Sequence, residues 1–339
     1  MMKKGLLTLT ASICLILVLV TVSFMAACAK PAPAPKLIEL DWVSFIPKEA
    51  PDVDVVVRGF INRVNEGATG ELVLTYRGGP ETIAASDQGR AVQEGVVDMA
   101  VLYVGAFEAV VPGIGGCMLA QITLDEERQP GGSYDYINEL YKKSGLFYLG
   151  RECRSEEFFR LNLNKRLEKP EDFVGTKIGT ATVARACTEA WGATAVSLTI
   201  PEYYTAMERG LVDGVSSCPY GQWVNLGAQE VTKYSIDCGY YDNTVAVFMN
   251  LDSWNQLPEH LQNLMIESII LSEKDATVWS AENNAKAKQV MVEAGVEFYK
   301  LSPDVEKWFL ETAYSSAWEY QMERFPEVTP KLRELLSKK

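Results

Sequence analysis

The stretch from Lys169 to Cys218 restricts the fold more tightly than any other part of the chain. A turn at Lys169-Pro170-Glu171-Asp172 leads into a short strand around Thr176–Gly179. A helical run follows to Gly192, then a strand over Ala195–Leu198, a helix ending at Gly210 and a closing strand, Val212–Ser216. Strands alternating with helices need crossover connections, which predicts a parallel sheet. Ligands of such sheets lie beyond the carboxyl ends of the strands. The positions just after Ile178, Leu198 and Val215 are therefore the first to consider for binding.

The first third of the chain repeats the arrangement. Leu37–Ser44 alternates as a strand, and a helix from about Pro51 to Glu66 places Val53, Val56, Val57, Phe60, Ile61 and Val64 on one face. Strands follow over Glu71–Tyr76 and Val97–Tyr103, separated by a helix over Asp87–Glu94 that closes on Gly95. The run Ala91–Val101 also echoes Ala206–Ser216: a helix end, a glycine at the C-terminal cap, then Val-Asp entering a strand. About 310 residues beyond the N-terminal segment exceed one ordinary core, so two lobes with a crevice between them are expected. The first lobe spans 37–155 and is completed by about 243–257. The second spans 156–242 and opens with a strand over Glu157–Leu163 that bears Arg160. Between the two repeats, Tyr134–Lys143 reads as a helix and Phe147–Leu149 as a strand, while the apolar Thr244–Asn250 suits a strand crossing back to the first lobe. Residues 258–294 form one long helix with no interior proline or glycine, at ~1.5 Å per residue long enough to lie along both lobes. Residues 295–339 are a C-terminal helical segment, whose helix starts at Ser302-Pro303.

Residues 1–27 read as an export signal: Lys3 and Lys4, an apolar run from Leu6 to Phe24, then small residues before Cys28. The ending Met25-Ala26-Ala27-Cys28 resembles the lipobox of bacterial lipoproteins, which implies a lipid on Cys28 and membrane attachment outside the cytoplasm. The competing reading is an uncleaved anchor, since the apolar run is nearly long enough to span a bilayer. The Pro/Ala-rich linker of residues 28–36 favours cleavage and suits a semi-rigid spacer. Loss of Lys3 and Lys4 takes the whole-chain charge of −13 to near −15. That surplus repels nucleic acid, which is excluded as a partner. Cys117, Cys153, Cys187, Cys218 and Cys238 allow at most two disulfides with one thiol over, or five buried thiols; spacing does not decide.

Catalytic sets are missing from the sequence. His260 is the one histidine, and a nucleophile–histidine site or a zinc site would have to be built around it. No phosphate-binding loop, dinucleotide fingerprint or nucleophile elbow occurs, so no cofactor or metal is expected. A binder is favoured over an enzyme.

At Lys169–Cys218 the chain resembles the solute-binding proteins of tripartite ATP-independent periplasmic (TRAP) transporters, of the dicarboxylate-binding type. The residues that carry the likeness are Asn164-Lys165, Pro170-Glu171-Asp172-Phe173, Gly175, Lys177-Ile178, Trp191-Gly192-Ala193, Glu202-Tyr203-Tyr204, Ala206-Met207, Gly210 and Val212-Asp213-Gly214, with Gly95-Val96-Val97-Asp98 and Trp254-Asn255-Gln256-Leu257-Pro258 outside the stretch. The resemblance implies a two-lobed α/β clamshell with a long helix across both lobes. It implies capture of a small anion, usually a carboxylate, and delivery to a separate membrane permease. The family's carboxylate is held by an arginine fork at the position that is Gly179 here. A second family arginine corresponds to Arg160, and Arg185 is placed to lean into the space left at Gly179. Further cleft positions by correspondence are Tyr103, Thr182, Ile200 and Ser217, with Phe45 after the first strand and Trp223 and Tyr240 as additional candidates. The resemblance thus implies a pocket richer in rings and hydroxyls than in charge, for an organic acid atypical of the family, aromatic or larger, or a polar neutral molecule. A receptor serving a membrane sensor and an extracytoplasmic enzyme are the alternatives.

Overall fold

The computed structural model describes residues 37–49, 53–152, 159–242 and 245–338. Residues 1–27, read above as an export signal, together with Cys28, the rest of residues 28–36, and Cys153, lie outside the described residues. Glu39–Lys339 forms one compact unit; of the other unit, Met1–Ile38, only Leu37 and Ile38 are described.

The strands are β1 (Ile38–Ser44), β2 (Leu72–Gly78), β3 (Met99–Tyr103), β4 (Leu146–Glu152), β5 (Arg160–Leu163), β6 (Lys177–Thr180), β7 (Thr194–Ser197), β8 (Gly214–Ser217), β9 (Tyr234–Ile236), β10 (Val245–Asn250) and β11 (Glu297–Tyr299). They form a five-stranded sheet in the order β2-β1-β3-β10-β4 and a six-stranded sheet in the order β11-β9-β5-β8-β6-β7. The central stretch gives the parallel β6–β7 and β6–β8 pairs. Neither sheet is wholly parallel, which corrects the expectation from alternation alone. β10 runs antiparallel to β3 and β4, and β5 antiparallel to β8 and β9. The reason is topological: a chain passing from one sheet to the other enters at the ends that face the partner sheet, so it runs against the crossover-connected strands.

The helices that matter for the site are α1 (Gly59–Gly67), α2 (Ala85–Gln93), α3 (Ser133–Lys143), α4 (Arg185–Ala190), α5 (Tyr203–Glu208), α6 (Tyr220–Asn225), α7 (Glu259–Glu293), α8 (Pro303–Arg324) and α9 (Thr329–Leu336). The run before α1 is π-helical over Asp54–Arg58, an irregularity that often marks functional segments. In the second lobe Ile178 faces Phe173, Trp191 and Phe309 of α8, while Val215 faces Tyr203, Trp223 and Met291 of α7. Ile178 of β6 and Val215 of β8 are one register step apart on paired strands, so they point to opposite faces of a sheet buried on both sides. Trp191 stacks on Phe309 at 4.2 Å, and its indole N–H donates to the Phe309 carbonyl at 3.0 Å.

The echo between the two repeats is structural. Gly95 and Gly210 both take the left-handed conformation, with φ of 72° and 64°, and the next residue's N–H reaches back to the carbonyl of Ala91 or Ala206 at 2.9 Å in each. The aspartate that follows then accepts the backbone N–H of the neighbouring strand: Asp41 to Asp98 and Lys177 to Asp213, both at 2.8 Å. The shared Gly-x-Val-Asp therefore ends a helix, plugs it with a buried valine and ties the new strand to its neighbour.

Two helices belong to both lobes. α7 packs on α1 and β4 of the first lobe and on α6 of the second; α8 packs on α4 in the second lobe and on the turns that carry Gly116 in the first. A buried ion cluster lies where β4 leaves the first sheet. Arg151 is fully buried and pairs with Glu127 and, at 3.3 Å, with Asp242. Glu273 of α7 accepts Arg128 at 2.6 Å and the Arg151 backbone N–H at 2.9 Å.

Candidate ligand-binding cleft

The carboxyl ends of β1 and β3 in one sheet, and of β6, β7 and β8 in the other, lie toward the connections between the sheets. Phe45 continues β1, donating its N–H to Val101 at 3.1 Å. Ser44 fixes the turn that follows: its hydroxyl donates to the Ile46 carbonyl at 2.7 Å, and Gln88 donates to the Ser44 carbonyl at 2.6 Å. Tyr103 ends β3 and meets Phe45 edge to face, with ring centroids 5.7 Å apart. Tyr103 is 45% exposed and Ile200, just after β7, 39% exposed.

Between these ends lies a cavity of about 330 Å³. Phe45, Ile46 and Val56 wall it from the first lobe; Ile200, Pro219, Gln222, Asn225 and Leu226 from the second. Trp279, Ser280, Asn283 and Asn284 wall it from α7, with Val245 beside them. Val56 belongs to the π-helical turn. None of these side chains carries a charge.

The structure distributes the expected site residues unevenly. Phe45 and Ile200 line the cavity from opposite sides. Arg160 opens β5 directly across from Ser217 of β8, and its guanidinium lies 4.9 Å from the centre of the Tyr220 ring, a cation–π geometry. Thr182 opens the turn after β6. Gly179 lies inside β6, where a Cβ would come within 2.6 Å of Leu198 Cδ1 and 3.2 Å of Val215 Cγ2. Leu198 therefore takes the space beside Gly179, and the expectation that Arg185 fills it is not met. Arg185 turns instead to Glu189 at 2.9 Å and to the Ser197 hydroxyl at 3.2 Å. Trp223 and Tyr240 are core residues. Trp223 is fully buried and donates its indole N–H to Thr232 at 3.0 Å. Tyr240 is fully buried too, bonded to Ser216 and packed edge to face on Trp191 at 5.2 Å. Burial pushes its hydroxyl well above the ordinary tyrosine range, so it stays neutral.

Cys117, Cys187, Cys218 and Cys238 are buried as thiols. Desolvation pushes those of Cys117 and Cys187 up to about 12, which leaves them protonated and unreactive at neutral pH. His260 is exposed and pairs with Glu71 at 3.1 Å.

Sequence reasoning missed the contribution of α7 to the cavity. The signal was there: Trp279, Ser280, Asn283 and Asn284 recur at i, i+1, i+4 and i+5, one face of a helix. Two adjacent asparagines are also poor choices for a helix interior.

Comparison with known proteins agrees with this geometry. The family model for DctP, bacterial extracellular solute-binding protein, family 7, matches residues 46–324. The C4-dicarboxylate-binding periplasmic protein DctP of Rhodobacter capsulatus is 29% identical over 147 residues, covering 42% of this chain and 44% of that protein. The chain thus spans about half the length of the curated relatives it matches. Among solved structures, a TRAP periplasmic solute-binding protein from Ochrobactrum anthropi superposes with a TM-score of 0.76 at 23% identity, covering 88% of this chain and 95% of that one. One from Sulfitobacter with bound β-D-galacturonate gives 0.71 at 19% identity, covering 88% and 99%.

Proposed function

The chain belongs to bacterial extracellular solute-binding protein family 7, and on that premise we propose that it captures a small organic acid between its two sheets and delivers it to a separate TRAP-type membrane permease. The observation that carries this reading is the cleft itself. Phe45 and Ile200, at strand ends of the two lobes, line opposite sides of one cavity, and Ile200 and the Tyr103 ring that packs on Phe45 are exposed. Apolar surface facing such a cavity is stabilised when a ligand covers it.

Arg160, at the same strand ends, supplies a cation for a carboxylate. With Leu198 beside Gly179 the site has no arginine fork at that position, so a second carboxylate finds no equivalent partner there. The galacturonate held by the Sulfitobacter protein is an acid with one carboxylate, which suits this arrangement. The cleft serves capture and release rather than turnover.

Calorimetric titration of the purified protein with galacturonate, benzoate and succinate tests the ligand class. A singly charged acid is expected to bind at least about 10-fold more tightly than succinate, a difference of about 1.4 kcal/mol. Tight succinate binding would rule out the single-carboxylate reading, and silence toward all three acids would rule out the organic-acid reading.

The proposal places the protein on the outer face of a membrane, cleaved before Cys28 and held by a lipid on that residue. Cys28→Ala should move it from the membrane fraction to the soluble fraction of expressing cells. Retention in the membrane would favour an uncleaved anchor.

A further inference from the structure

The cavity has a third wall that belongs to neither sheet. Trp279, Ser280, Asn283 and Asn284 share one face of α7 and look into the space between the lobes. Asn284 accepts the Gly221 N–H at 3.4 Å. The Asn283 carboxamide rests over Gly221, where a Cβ would come within 2.3 Å of its Nδ2, so a glycine at the start of α6 keeps room for it. Among the described residues, the side chains of Asn283, Gln222 and Asn225 and the indole N–H of Trp279 make no hydrogen bond. Asparagines in the middle of a 35-residue helix cost helix stability, and no partner in the fold accounts for Asn283.

We infer that this face of α7 reads the ligand: the uncharged, hydroxyl-bearing body of the acid occupies the cavity, hydrogen-bonded by Gln222, Asn225 and Asn283 and covered by Trp279. The inference rests on the organic-acid reading above and assigns it specificity residues. A carboxamide offers donors and an acceptor, matching a hydroxyl, which needs both. A carboxylate would use only the donors and would lose its hydration in a cavity whose walls carry no cation. Dicarboxylates thus meet a desolvation cost at this end in addition to lacking an arginine partner at position 179. A hydroxyl-free acid gains only apolar contact with Trp279 and Phe45.

The test uses Asn283→Leu and Gln222→Leu, each titrated with galacturonate and benzoate, with unliganded thermal denaturation as the control for folding. Each variant should bind galacturonate about 10-fold more weakly, as expected for one lost hydrogen bond in a desolvated site. Benzoate affinity should stay within about two-fold in both. Asn283→Asp should weaken both acids by adding a like charge. Unchanged galacturonate binding in the two leucine variants would overturn the inference, as would wild-type protein that prefers benzoate. A wild type that binds an acid while the leucine variants behave as wild type sinks only the α7 assignment. A wild type that binds none of the acids removes the organic-acid reading and the assignment with it. Gln222 is half-buried on a short helix, so its variant remains informative if Asn283→Leu lowers stability.

Discussion

At the scale of single residues, Gly179 and Leu198 act as a pair. A side chain at 179 starts 2.6 Å from Leu198 Cδ1, so Gly179→Arg alone overpacks the strand and should cost about 1–3 kcal/mol in urea denaturation. Leu198→Ala opens that space. The double variant should be more stable than the sum of the two single effects, because residues in contact couple, and it should bind succinate at least about 10-fold better than wild type as a fork becomes available. Additive stabilities with unchanged succinate binding would show that Leu198 is not what fills the site. That glycine stands where the resemblance puts an arginine was legible in the sequence, because Lys177-Ile178 marks the place. The residue that replaces it in space was not, since Leu198 follows a different strand and alternation does not say which neighbour leans across.

At the scale of elements, the Gly-x-Val-Asp junctions explain why a short match between the two repeats is informative. Each aspartate carboxylate receives a backbone N–H of a neighbouring strand, and hydrogen bonds to charged groups contribute about 1.5–3 kcal/mol. Asp213→Ala should therefore lower unfolding free energy by about 1–2 kcal/mol after allowance for its partial exposure. Asp98→Ala should lower it more, because Asp98 also accepts the Ser253 hydroxyl at 2.7 Å. Urea midpoints within error of wild type would show that the shared motif is a cap and nothing further. Strand and helix positions along Lys169–Cys218 were readable from periodicity and glycine caps. The directions of β5 and β10 were not, because a strand's own side-chain pattern is the same whichever way it runs. The π-helical turn over Asp54–Arg58 was hidden for a similar reason: an apolar face with Val56 and Val57 fits an ordinary helix equally well.

At the scale of the molecule, the two-lobed plan followed from the repeated units, and the reach of α7 from its length. What stayed illegible was contact between segments distant in sequence. Arg151 and Glu273 were ordinary charges until the fold buried them together, and Asn283 gained a role only when α6 was laid against it. The chain order has a consequence of its own. Phe309 and Met291 complete the two faces of the second lobe, while Glu273 and Trp318 do the same for the first. All four come from helices that follow β10, after every strand but β11. Neither lobe can therefore close its core during synthesis until residues 259–324 have left the ribosome. A nascent chain short of that point lacks the helices that complete either core. That is the condition in which a chain can be pulled through a narrow translocation pore before it folds on the far side.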